Sequence, residues 1–127
     1  MALLLDAGAL IAYDRRNEFV VALIESAQRK GVVLRTSTAV VAQVWRDGAR
    51  QARLARLLAG VDELELTKKA SRAIGLLLAS SGTSDVVDAG LVEFALDGDE
   101  IVTTDPADIA HLAEASDKKL FIVAVSA

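Results

Sequence analysis

Strand-like and helix-like segments alternate along almost the whole sequence, and that alternation constrains the fold more than any other feature. Leu3–Leu5 is a short apolar run that stops at Asp6, and helical spacing follows from Gly8 to Arg15. Asn17 can cap a helix over Glu18–Lys30, whose Phe19, Val20, Leu23, Ile24 and Ala27 fall on one face, with Gly31 as its stop. Val32–Leu34 reads as a second strand. Thr36, Ser37 and Thr38 offer caps for a helix over Ala39–Trp45, and Asp47-Gly48 breaks it. A basic helix over Ala49–Ala59, a strand over Glu63–Leu66 and a helix over Lys68–Ala79 come next. Ser84 can cap a helix over Asp85–Leu96. Ile101–Thr104 is a strand, Pro106 opens a helix to Ala115, and Phe121–Val125 is the last strand. Strands separated by helices need crossover connections. The expected architecture is a three-layer α/β/α sandwich around a central, mainly parallel sheet.

The chain has 127 residues, 53% hydrophobic and 25% charged, which suits a single globular domain over residues 1–127 and argues against disorder. It has no cysteine, which excludes disulfides and thiolate zinc sites and fits a cytoplasmic location. The start, Met1-Ala2-Leu3-Leu4-Leu5-Asp6, lacks the basic and long apolar regions of a signal peptide. No apolar run reaches the ~18–20 residues of a membrane span. The net charge of −4 opposes nucleic-acid binding unless the acidic residues are gathered at one site and the basic ones lie elsewhere.

Open parallel sheets bind ligands beyond the carboxyl ends of their strands. Asp6 and Asp105 occupy two such ends. Asp88 and Asp85, three residues apart, share a face of one helix. Two carboxylates ~4 Å apart repel by about 4 kcal/mol at an effective dielectric of ~20, so a cluster of them calls for a cation. Oxygen donors with a single His favour Mg²⁺ or Mn²⁺ over zinc. Structural roles compete. Asp105-Pro106 is a good N-cap, Asp6 can be a turn or cap residue, and Asp85 suits a first helical turn. Asp108 suits capping or solvent. Asp88, between Val87 and Ala89 in an apolar helix, is the hardest to explain structurally.

Three segments in order resemble the PIN-domain family, specifically its VapC-like toxins. They are Leu3–Ala12 around Asp6, Asp88–Ala95, and Ile101–Ile109 around Thr-x-Asp. The resemblance implies an acidic pocket binding Mg²⁺ or Mn²⁺ and hydrolysis of structured RNA at single-stranded sites. It also implies a cognate antitoxin and a homodimer. One position departs from it: the family usually has a Glu where this chain has Gln43. Three explanations stand open. Asp85 supplies the missing carboxylate, the enzyme is weakened, or the residue was altered to tame a toxic product. The same departure sustains the alternative of a non-catalytic PIN-like module that binds RNA or protein.

Arg46, Arg50, Arg53 and Arg56 form a candidate stripe for phosphate contacts, for an acidic antitoxin segment, or simply for solvent. Trp45 reads as a core or interface anchor, and His111 as a surface or packing residue. One Trp, one Tyr and three Phe, scattered, do not make a base-stacking platform. Other aspartate-based folds fit poorly. Gly8 stands where a haloacid-dehalogenase-type phosphatase needs its second Asp, the last strand lacks a receiver-domain Lys, and no phosphate-binding Gly loop is present.

Overall fold

A computed structural model describes residues 1–126. Its strands are β1 (Ala2–Leu5), β2 (Val33–Ser37), β3 (Asp62–Leu64), β4 (Glu100–Thr103) and β5 (Phe121–Ala124). The helices are α1 (Ala7–Asp14), α2 (Glu18–Arg29), α3 (Thr38–Val44), α4 (Ala52–Leu58), α5 (Lys68–Ser81), α6 (Val86–Phe94) and α7 (Pro106–Ser116). The sheet runs in the order β3-β2-β1-β4-β5, and every pairing is parallel rather than mostly so.

β1 lies in the middle, with Leu4 opposite Arg35 on one side and Ile101 on the other. All four of its residues are buried, as a strand covered on both faces requires. The chain moves outward from β1 to β3, then returns past β1 to β4 and β5. Parallel crossovers are right-handed, so this change of direction places α1–α4 on one face and α5–α7 on the other. Contacts follow that division: α1 packs on α2, α3 and α4, while α5, α6 and α7 pack on one another. Leu4, Leu5, Leu10, Val20, Ile24, Leu91, Ile101, Val102 and Ile109 fill the core.

Some boundaries differ from those read off the sequence. β2 runs on to Ser37, because Arg35, Thr36 and Ser37 pair with Asp62, Glu63 and Leu64. Buried Thr36 satisfies its hydroxyl by donating to Leu5 O at 2.7 Å. α4 begins at Ala52, not Ala49, because the Gln51 side chain knits the preceding loop. Gln51 accepts the N–H groups of Arg46 and Asp47 and donates to Val44 O. β3 ends at Leu64, leaving Leu66 exposed. Asp85, rather than Ser84, caps α6. Asp99 was legible only as part of a turn. It is buried and accepts the N–H groups of Ala2 and Leu96, clamping the start of β1 to the turn before β4.

Candidate metal centre

The strand order reverses between β1 and β4, and Asp6 and Asp105 stand at the carboxyl ends of these strands, the position where parallel sheets bind ligands. α1, α6 and α7 all begin there with an aspartate at the N-cap position: Asp6, Asp85 and Asp105. Their positive helix ends partly offset the gathered negative charge.

Asp6 is 4% exposed and tightly held. One carboxylate oxygen accepts the Ala9 N–H at 2.8 Å, capping α1, and the other accepts the Thr104 N–H at 3.1 Å. Burial raises the Asp6 pKa above the ordinary carboxylate value, and the nearby Thr103 hydroxyl and the Ala9 and Thr104 N–H groups pull against it. The Asp105 charge adds to the rise.

Asp105 precedes Pro106 at the first helical position, as the sequence suggests, but its side chain caps nothing. Its own N–H donates to Thr103 Oγ1 at 2.8 Å, and the carboxylate is exposed. The expected capping bond is absent because the Asp105 backbone, at φ −120 and ψ 61, does not take the extended N-cap conformation. The carboxylate therefore stays free for a ligand.

Asp88 sits in the first turn of α6, partly buried. Its carboxyl is pushed up from 3.8 to about 6, first by burial and then by the charges of Asp85, Asp105, Asp6 and Asp108. One carboxyl thus responds to every other member of the acidic cluster. The ion pairs among the described residues, Arg35–Asp62 and Arg50–Asp47, involve none of these carboxylates.

By donor type alone, these carboxylates are the ligands a hard divalent ion takes. Every group is a carboxylate, the negative charge has no protein counter-ion, and Asp105 is untethered. No three acidic or histidine side chains among the described residues already stand as a ready-made ligand set. Asp85 commits one oxygen to its helix, accepting the N–H groups of Val87 and Asp88 at 3.0 Å. Its other oxygen remains available.

Gln43 is not drawn into the cluster. It is exposed on α3, lines a cleft of about 270 Å³ with Asp14, Arg15, Arg46 and Gln51, and hydrogen-bonds to none of Asp6, Asp88 or Asp105 among the described residues.

The arginine stripe does not lie on one continuous helix, because Arg46 and Arg50 precede α4. Arg46 folds back to donate to Ala42 O and Trp45 O, stopping α3. Arg50 lies 3.7 Å from Asp47, both side chains well exposed. Arg53 stacks over the Tyr13 ring at 5.1 Å. Trp45 is 40% exposed and lines an open groove of about 420 Å³ with Val41, Ala55, Leu58, Ala59 and Glu63. It is therefore a surface residue, not a core one. His111 is exposed on α7. Its Nε2 lies 2.7 Å from Ser81 O, and since a carbonyl only accepts, Nε2 carries the proton. A recess of about 280 Å³ is lined by Thr83, Ser84, Asp85, Asp88, Asp108 and His111.

Thr103 was legible as the first residue of the Thr-x-Asp segment, and Thr104 only as the end of a strand. The available signal was the run Thr103-Thr104-Asp105, two hydroxyl residues against an acid at a strand end.

Neither a family model nor a curated protein matches the sequence. Among solved structures, the chain is similar to a chain of the crystal structure of VapBC2 from Rickettsia felis bound to a DNA fragment from their promoter. The TM-score is 0.70 over 96% of this chain and 98% of that chain, at 13% identity. An identity this low speaks to architecture alone. With its five-stranded parallel sheet and its two helical layers, the chain shares the α/β fold of that chain, in agreement with the PIN-like architecture that its motifs resemble.

Proposed function

We propose that the chain is a Mg²⁺- or Mn²⁺-dependent endoribonuclease and the toxin member of a VapBC-type toxin–antitoxin pair. What supports this reading is the placement of Asp6 and Asp105 at the carboxyl ends of β1 and β4, with the Asp88 carboxyl pushed up to about 6 by burial and by the charges of Asp85, Asp105, Asp6 and Asp108. Bound by these aspartates, a divalent ion supplies a water made acidic enough to attack a phosphodiester and offsets charge on the phosphoryl oxygens.

The protein's own contributions divide by residue. Asp6 is fixed by two backbone hydrogen bonds, one to each carboxylate oxygen, which leaves lone pairs on both. Asp105 is free to turn toward an ion. Asp88 holds a proton below about pH 6 and releases it when an ion binds. Asp85 lends negative charge from the rim. Arg15 and Arg46 line the cleft beside Gln43, and with Arg50 and Arg53 they are the cations this reading assigns to backbone phosphates.

The partner reading rests on the fold, on the Rickettsia felis complex and on the groove beside Trp45, which suits an apolar segment of an antitoxin. No helix among the described residues is long and apolar enough to cross a membrane; the cytoplasmic location and the homodimer belong to the proposal through the family resemblance alone.

A second reading is favoured by one observation: Gln43, neutral and outside the aspartate cluster, leaves fewer charges to hold an ion. Under it the chain binds RNA or protein without cutting. Purified protein incubated with a structured RNA separates the two. The nuclease reading expects cleavage with Mg²⁺ or Mn²⁺ that stops on adding chelator. Binding without cleavage at any metal concentration supports the second reading.

A further inference from the structure

Gly8 is the second residue of α1, two positions after Asp6. Glycine inside a helix costs stability relative to alanine and is normally kept for a positive φ or for a close approach. Gly8 is absent from the positive-φ glycines, so conformation does not explain it. Space does. A Cβ at Gly8 would lie 2.1 Å from Thr104 Oγ1, 2.3 Å from its Cγ2 and 2.7 Å from its Cβ. None of the other glycines has a contact below 3.0 Å, and Gly75, also helical, meets nothing within 4 Å. The Thr104 side chain is seated on the bare face of Gly8.

That seat lies at the centre of the acidic site. The Thr104 N–H donates to Asp6, and the next residue is Asp105, whose carboxylate has no tether of its own. Whatever sets the position of Thr104 sets both the orientation of Asp6 and the start of Asp105.

We infer that Thr104 is a positioning residue for the metal-site carboxylates, keyed by its shape into the gap that Gly8 leaves in the first turn of α1. The inference rests on the metal-site reading proposed above and names the contact that holds Asp6 and Asp105 in register. Filling the gap pushes Thr104 away, lengthens its bond to Asp6 and moves Asp105. Residues that orient metal ligands typically change metal affinity by roughly 10–100-fold when altered.

The test measures Mn²⁺ dissociation constants by calorimetry, together with exchange of the Thr104 amide hydrogen in chelator. Gly8→Ala is expected to bind Mn²⁺ at least about 10-fold more weakly and to exchange the Thr104 amide faster. Thr104→Gly should weaken binding as well, whereas Thr104→Val, which keeps the shape and loses the hydroxyl, should stay close to the unaltered protein. The double variant Gly8→Ala/Thr104→Gly should be no weaker than Thr104→Gly alone, since the clash has been removed. Unaltered affinity in Gly8→Ala, additive losses in the double variant, or equal loss in Thr104→Val and Thr104→Gly would each overturn the inference. If Gly8→Ala does not fold, the Val and Gly variants at position 104 decide. If the unaltered protein takes up no Mn²⁺, the metal-site reading falls, and the Thr104 amide in Gly8→Ala then judges the contact: unchanged exchange overturns it.

Discussion

Asp85 accepts the backbone N–H of Asp88 at 3.0 Å while its charge raises the pKa of the Asp88 carboxyl. The two effects have one origin: both residues sit at the start of α6, where backbone donors welcome an anion and a second anion nearby does not. Asn caps a helix as well as Asp does, so the two roles can be separated. Asp85→Asn is expected to leave the melting temperature nearly unchanged and to lower the Asp88 pKa. Asp85→Ala should cost about 1 kcal/mol through the lost cap. Carbon-detected NMR titration of Asp88 and thermal melting check the pair.

The raised Asp88 pKa makes the metal-free protein sensitive to pH. Because the folded value, about 6, lies above the ordinary 3.8, the folded state holds its proton more tightly than the unfolded chain does. The resulting stability is fully present below pH 3.8 and is lost as pH rises through about 6. Burial displaces Asp6 in the same direction. In chelator, these groups make the melting temperature fall as pH rises between those values. Asp88→Asn should flatten much of that fall, and Mg²⁺ at neutral pH should restore stability by binding the folded state. Melting curves over this range, with and without Mg²⁺, test it.

Gln43→Glu places a new carboxylate in the cleft that Arg15 and Arg46 share. Those cations offset its repulsion from the aspartates, so the metal-free protein should not lose stability. Metal affinity should rise by about 10-fold, roughly 1.4 kcal/mol. Calorimetric titration of Mg²⁺ into both forms checks this. Equal affinities would place position 43 outside the reach of the ion.

The fold was legible because a parallel sheet writes itself into the sequence as apolar runs separated by helical periodicity. Leu3–Leu5 and Ile101–Thr104 each end in an aspartate of the candidate site. Asp88 was legible for a different reason: a charge inside an apolar helix needs an explanation. What the sequence hid depends on contacts distant along the chain. The bond from Thr104 to Asp6 spans 98 positions and the clamp from Asp99 to Ala2 spans 97. The arginine stripe was misread because Gln51 and Asp47 hold the chain in a loop that arginine spacing alone does not reveal.

Trp45 offers the most direct check on the partner. Expression of the chain alone should arrest growth, and co-expression of the small gene beside its own should restore it. Trp45→Ala should weaken binding of that neighbour by at least 2 kcal/mol, roughly 30-fold, as loss of a buried aromatic anchor does. Pull-down and calorimetry with the purified neighbour measure it. Unchanged affinity would move the docking surface away from this groove.

The most direct test of the account compares RNA cleavage by the unaltered protein and by Asp88→Asn in the same Mn²⁺ buffer, with matched circular dichroism. The substitution is nearly isosteric and removes one carboxylate charge from the centre. The account predicts Mn²⁺-dependent cleavage by the unaltered protein and a rate lower by roughly 100-fold or more in Asp88→Asn, with the fold intact. Equal cleavage by the two proteins, or cleavage that persists in chelator, would contradict it.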